Sequence, residues 1–125
     1  MDYLLDTNIL IKAYSNPESL NDKVKEILSS PKTTVYVSYV SFWEIEIKRN
    51  LGKISIPKNM FDDVFDDGLL ILDFRMSHIH WLSKLPDLHR DPFDRMLVAQ
   101  AISENLQLIT TDKIVKKYDK SFILT

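Results

Sequence analysis

No cysteine occurs among the 125 residues, which excludes disulfide staples and thiolate metal sites and suits a reducing compartment. No apolar stretch approaches the ~20 residues that cross a bilayer, so no membrane contact is expected. Strand-like residues follow Met1 almost at once, leaving no room for a leader, and a cytoplasmic protein is the expectation. A basic excess is missing too: 16 Lys and Arg stand against 18 Asp and Glu, a net charge of -2. The field of the whole molecule therefore does not draw nucleic acid, and any such contact has to be local. Repeats, linkers and low-complexity tracts are likewise lacking. What remains is a chain with 45% hydrophobic residues, which predicts one compact domain over residues 1–125 with a core of its own.

Short apolar runs alternate with helical patterns along that chain. Tyr3-Leu4-Leu5 is too brief for a helix and predicts a buried strand, after which Asp6 caps a helix that Asn16-Pro17 breaks. Leu20, Val24, Ile27 and Leu28 recur at helical spacing. Val35-Tyr36-Val37 predicts a second strand. Ser38 can then cap a helix whose apolar positions include Val40, Trp43, Ile47 and Leu51, with Gly52 at its end. A helix over 58–67 is closed by Gly68. Leu69 to Leu72 is a continuous apolar run, the pattern of a strand covered on both faces of a parallel sheet. A short helix over 78–85 stops at Pro86. Asp91 and Pro92 are a cap and a first helical residue, and from there to Asn105 nearly every face is apolar, predicting the most buried helix. Leu108-Ile109-Thr110 is a strand, Asp112 caps a helix through Tyr118, and residues 122–124 close the sheet. The fold class expected is α/β, a three-layer α/β/α sandwich on a small, mostly parallel central sheet.

Four acids in this order stand out. Asp6, Glu44, Asp94 and Asp112 each fall where a strand hands over to a helix or a helix begins. In an open parallel sheet, residues just past the carboxyl ends of neighbouring strands face one crevice, so acids distant in sequence converge. Two carboxylates ~5 Å apart repel by about 3 kcal/mol at an effective dielectric of ~20. Either some of them retain protons, or a divalent cation neutralises the group; Mg²⁺ or Mn²⁺ suits oxygen ligands of this kind. Each acid also has an ordinary account, because Asp is a preferred cap and helix starts favour negative charge, while Glu44 can pair with Lys48 one turn on. Their convergence is what favours a metal centre, with Asn8 as a further oxygen donor.

The remaining chemistry-bearing residues carry less. His78, His80 and His89 lack the spacing of a zinc helix and have no cysteine to assist them, and His89 is expected to act locally in its loop. Arg95 and Lys113, each next to a proposed ligand, could hold a phosphate. The runs Lys48, Arg49, Lys53, Lys58 and Lys113, Lys116, Lys117, Lys120 have the look of solvated helix faces. Phe42 and Trp43 are expected in the core rather than as a base-stacking platform.

The blocks Tyr3-Leu4-Leu5-Asp6-Thr7-Asn8, Val40-Ser41-Phe42-Trp43-Glu44-Ile45, Leu88-His89-Arg90-Asp91-Pro92-Phe93-Asp94-Arg95 and Leu108-Ile109-Thr110-Thr111-Asp112 resemble the PIN domain family. The third block is most similar to the VapC-type toxins of bacterial toxin-antitoxin pairs. The resemblance spans essentially the whole chain. It implies a metal-dependent ribonuclease with its four acids at Asp6, Glu44, Asp94 and Asp112, and supporting polar positions at Asn8 and Thr111. It further implies an RNA substrate, a homodimer, and a cognate antitoxin whose C-terminal segment occupies the nuclease groove. Two other classes compete. A phosphoacceptor receiver domain needs an adjacent acidic pair after the first strand, where only Asp6 stands. A non-catalytic module binding RNA or protein would keep the acids as caps and show no metal-dependent cleavage.

Overall fold

The computed structural model describes residues 2–125. β1 (Asp2–Leu5) leads into α1 (Thr7–Ser15), a 3-10 turn at Pro17–Ser19 and α2 (Asp22–Ser29). β2 (Thr34–Ser38) leads into α3 (Tyr39–Asn50) and α4 (Met60–Asp66), and β3 (Leu70–Leu72) into α5 (Met76–Leu82) and α6 (Pro92–Ser103). β4 (Gln107–Thr110), α7 (Lys113–Lys116) and β5 (Ile123–Leu124) complete the order. The five strands make one sheet in the order β3-β2-β1-β4-β5. Every neighbouring pair is parallel, with Leu5 opposite both Val37 and Ile109.

Period-two alternation along the strands splits the core into two layers. Tyr3, Leu5, Val35, Val37 and Ile109 pack with Ile9 and Leu10 of α1, Val24 and Ile27 of α2, Phe42 and Ile45 of α3, and Met60 and Val64 of α4. Leu4 and Leu108 face the other way, onto Met96 to Ala101 of α6 and Val115 of α7. The helices thus cover both faces, and the expected three-layer sandwich is what forms. Truncating a side chain as buried as Leu4, Leu97 or Leu108 to alanine costs about 2–5 kcal/mol.

Helix boundaries follow local chemistry. Asp6, Asn21, Ser38, Asp91 and Asp112 each cap a helix, accepting a hydrogen bond from a backbone N–H of its first turn. Past α3 and α4, Gly52 and Gly68 take φ of 71° and 82°, the left-handed conformation that favours glycine at a helix end. The expected helix over 78–85 begins two residues earlier, and the one through Tyr118 stops at Lys116.

One expectation holds only in part and one fails. β3 is an edge strand whose Ile71 and Leu72 pack into the two core layers, as expected of a strand covered on both faces, but it pairs only with β2, and at the sheet margin Leu70 is 48% exposed. Trp43 is not in the core but 60% exposed. The buried stripe of α3 is Val40, Ser41, Phe42, Glu44 and Ile45, rotated about one residue (~100°) from the stripe through Trp43, Ile47 and Leu51. Trp43 instead meets Phe93 edge-on, with ring centroids 5.1 Å apart. That contact joins the helix carrying Glu44 to the helix carrying Asp94.

Candidate active site

The order of the strands fixes where a site can form. From β1 the chain proceeds to β2 and β3 on one side, then returns to place β4 on the other side of β1. The connections leaving β1 and β4 therefore part in opposite directions, opening a crevice at their carboxyl ends. Asp6 follows β1 directly and Asp112 lies just past β4. α3 carries Glu44 in its second turn, and α6 carries Asp94 in its first.

Asp6 is 5% exposed. Its Oδ1 accepts the Ile9 N–H at 2.8 Å. Burial raises its pKa from the ordinary 3.8 to about 6; hydrogen bonds from the Thr110 hydroxyl and the Ile9 and Thr111 N–H groups oppose the rise, and the charge of Glu44 adds to it. Asp94 is pushed further, to about 7, by burial first and then by Asp91 and Glu44, with His89 opposing and Asp6 contributing. Asp91 takes over the capping of α6, its Oδ1 accepting the Phe93 and Asp94 N–H groups at 2.8 and 3.0 Å. Asp94 is thereby free for other work.

Glu44 is 4% exposed and held from both sides. Thr7 Oγ1 donates to its Oε1 at 2.6 Å, and Lys48 Nζ donates to Oε2 at 2.6 Å. The hydrogen bond to Glu44 keeps the Lys48 amine above its ordinary pKa despite desolvation. At Asp112, desolvation pushes upward, but the hydrogen bonds from His89 and from the Ile114 and Val115 N–H groups outweigh it and hold the carboxyl below its ordinary value. Thr110 links the two strand ends, since its hydroxyl hydrogen-bonds Asp6 and its Oγ1 accepts the Asp112 N–H at 3.0 Å. A Thr7→Val variant keeps the side-chain shape and removes a donor from a buried carboxylate. It is expected to lose about 1–3 kcal/mol of stability, seen as a lower urea midpoint at unchanged slope; an unmoved midpoint would show that Lys48 alone satisfies Glu44.

The fold places Asp94 and Asp112 on either side of His89, and among the described residues these three alone have donor atoms within 4.8 Å of one another; Asp6 and Glu44 stand outside that group but near enough for their charges to raise Asp94. Burial first, and neighbouring carboxylates second, keep protons on Asp6 and Asp94 toward neutral pH, and a divalent cation would offset both by favouring the ionised forms. The all-oxygen carboxylate set fits Mg²⁺ or Mn²⁺. The predicted supporting residues are placed differently from one another. Asn8 is exposed on α1, and Lys113 is exposed at the start of α7. Thr111 contributes through its backbone N–H to Asp6. Arg95 turns its guanidinium away, to the carbonyls of Leu82, Pro86 and His89 at 3.3–3.4 Å and the Tyr118 hydroxyl at 3.2 Å.

Sequence reasoning missed Thr7, Thr110 and above all His89, which lies between Asp94 and Asp112 and does more than act locally. Thr7 and Thr110 adjoin the strand ends already singled out, so position alone could have found them. His89 meets Asp112 across 23 residues of sequence, and no spacing rule signals that.

The sequence profile of the PIN domain family matches residues 3–121, and the chain belongs to that family. Among curated proteins none matches significantly. Among solved structures, a chain of the VapBC2 complex of Rickettsia felis, crystallised on a DNA fragment from its promoter, is similar at 23% identity and a TM-score of 0.72, covering 100% of this chain and 98% of that one. VapBC-1 of nontypeable Haemophilus influenzae gives 19% and 0.68, over 100% and 97% of the two chains. A toxin-antitoxin complex of Klebsiella pneumoniae gives 18% and 0.64, over 97% and 95%. At these identities the likeness is one of fold.

Proposed function

We propose that this protein is a metal-dependent endoribonuclease, the VapC-type toxin of a toxin-antitoxin pair, acting as a single nuclease domain over residues 1–125 in the cytoplasm. The observation that supports this reading is the meeting of Asp94 and Asp112 at His89, with Asp6 and Glu44 close enough for their charges to add to the burial that raises Asp94. Family membership supports it. Among the described residues no helix is long and apolar enough to cross a membrane.

Mg²⁺ or Mn²⁺, were it held by these carboxylates, would supply positive charge for the scissile phosphate and for an acidified water. The protein's part is placement. Asp6, Glu44, Asp94 and Asp112 are the ligand carboxylates. Thr110 and the Ile9 N–H orient Asp6, and the first-turn N–H groups of α7 orient Asp112. Lys48, between Glu44 and solvent, keeps a cation at the rim where an RNA phosphate would approach. Asn8, Thr111, Arg95 and Lys113 support this site, Lys113 as an exposed cation next to Asp112. Hydrolysis of this kind leaves a 5′-phosphate and a 3′-hydroxyl.

Two partners belong to the proposal. An antitoxin would neutralise the enzyme by seating its C-terminal segment in the nuclease groove, and the likeness to chains of toxin-antitoxin complexes supports such a partner. A second copy of the chain is supported by the exposed apolar face of Tyr39, Trp43, Phe74 and Met76, between 46% and 63% exposed.

The test is incubation of purified protein with total RNA in Mg²⁺, in Mn²⁺ and in EDTA, followed by mapping of 5′-phosphate ends. Discrete cuts present with either ion and absent in EDTA are expected. Cleavage that persists in EDTA, or RNA left whole with both ions, overturns the proposal.

A further inference from the structure

His89 lies between two acids that come from different parts of the chain. Its Nε2 is 3.2 Å from Asp94 Oδ2 and 2.8 Å from Asp112 Oδ2. On spacing alone, His89, Asp94 and Asp112 offer three donor atoms within 4.8 Å of one another, a mixed nitrogen and oxygen metal site. The other face of the ring argues against that. The backbone N–H of Asp91 donates into Nδ1 at 3.0 Å. A nitrogen that accepts an N–H has its lone pair engaged there, which turns Nε2 toward the acids as the donor side of the ring. A protonated Nε2 is a donor to carboxylates and has no lone pair to give a cation. Making Nε2 a ligand would move the proton to Nδ1, where it would point at the Asp91 N–H and break the contact.

The segment around His89 is built to hold this orientation. Its own N–H donates to the Tyr118 hydroxyl at 2.8 Å, and its carbonyl accepts from Arg95 Nη1 at 3.4 Å. The Arg95 guanidinium and the Tyr118 hydroxyl also meet, at 3.2 Å. Both ends of the His89 peptide and both ring nitrogens are therefore engaged, which is uncommon for a residue outside any helix or strand.

We infer that His89 is a positioning residue for metal capture rather than a metal ligand: its Nε2 is hydrogen-bonded to Asp112 beyond β4 and lies 3.2 Å from Asp94 on α6, so that the ring sets the two carboxylates side by side. The inference rests on the metal-dependent reading above. Carboxylates that bind a metal are themselves hydrogen-bonded, and loss of such a partner lowers metal affinity about 10–100-fold. It also gives Arg95 a purpose in the site without contact to substrate, since Arg95 holds the residue that holds the acids.

Two variants separate the faces of the ring. In His89→Asn the side-chain oxygen falls where Nδ1 was and keeps the Asp91 N–H, but the amide does not reach the acids. In His89→Gln the amide N–H reaches the acids and the Asp91 contact is given up. Calorimetric titration of Mn²⁺ into each metal-free full-length protein is expected to give His89→Gln within a few-fold of wild type and His89→Asn about 10–100-fold weaker. The Mn²⁺ spin-echo spectrum of the wild type, which does not depend on either variant folding, is expected to show no histidine nitrogen coupling. Nitrogen coupling would make His89 a ligand, and His89→Asn binding as tightly as wild type, or His89→Gln no better than His89→Asn, would leave it a clasp for its loop. Any of the three overturns the inference while the nuclease reading stands; a wild type that takes up no Mn²⁺ removes that reading and the inference together.

Discussion

Asp94→Asn is expected to abolish RNA cleavage and to make the metal-free protein more stable at neutral and mildly alkaline pH. The two effects share one cause. Asp94 is partly buried among Asp91, Glu44 and Asp6, so that its proton is retained to about pH 7. Ionising it in the folded protein costs free energy that the unfolded chain does not spend. An amide of the same shape removes that cost. Each pKa unit corresponds to about 1.4 kcal/mol, and allowing for the lost His89 contact the gain should be about 1–3 kcal/mol near pH 8. Cleavage should fall by more than the roughly 10–100-fold that loss of an outer-shell partner costs, because in the proposed mechanism Asp94 is itself a ligand. Thermal melts without metal and 5′-end mapping of digested RNA read the two effects separately. A variant that still cuts, or one destabilised at pH 8, would show that Asp94 serves the fold and not the metal.

The second large effect is a coupling of stability, pH and metal. Asp6 and Asp94 have folded pKa values of about 6 and about 7, both raised from 3.8. Between the ordinary carboxylate range and pH 7 the folded state therefore binds more protons than the unfolded one, and stability falls as pH rises through that window. The two shifts together amount to several kcal/mol, on the order of 1.4 kcal/mol per unit. Asp112, shifted the other way, withdraws stability only at the acid end. The melting temperature of metal-free protein should thus decline from pH 5 to pH 8. Millimolar Mg²⁺ or Mn²⁺ should reverse the decline at pH 8, adding about 2.7 kcal/mol when the ion stands at ~100 times its Kd, and should do little at pH 5, where protons occupy the ligands. Calorimetry at pH 6 in two buffers of different ionisation enthalpy should detect proton release on metal binding. Metal stabilisation equal at pH 5 and pH 8 would contradict the assignment of Asp6 and Asp94 as ligands.

How much of this was legible in the sequence depends on the range of the interaction involved. Asp91-Pro92 announces the start of α6, and Gly52 and Gly68 announce two helix ends, because those signals act within a few residues. The strand ends at Asp6 and Asp112 were equally readable, since an apolar run followed by a capping acid is local. Parallel topology then implied their meeting, through the general behaviour of such sheets rather than through any single contact. Trp43 was misplaced because a helix with apolar residues on several sides does not reveal which stripe the sheet will cover. In α3 the buried face includes Ser41 and Glu44, which no hydrophobic pattern would choose. They are buried because Thr7, from another helix, receives them. Leu70 looked central because an apolar strand reads alike at the middle and the margin of a sheet. Arg95 was assigned by its adjacency to Asp94, yet on a helix adjacent side chains diverge by ~100°. His89 was opaque for the most general reason, since its partners are set by tertiary structure alone.

β1 precedes every other strand in the chain and is also the middle strand of the sheet. One of its edges can close as soon as β2 has emerged from the ribosome, but the other waits for β4. Asp6 and Asp112 are more than a hundred residues apart, so at ~5–20 residues per second the first acid exists for about 5–20 s before the last one is made. Throughout that interval the crevice has only one wall. A growing chain, or one cut short before its fourth strand, holds an incomplete set of carboxylates and cannot assemble the centre. The site that the proposed function needs therefore comes into being only when the fourth strand does, by the order in which the sheet is threaded.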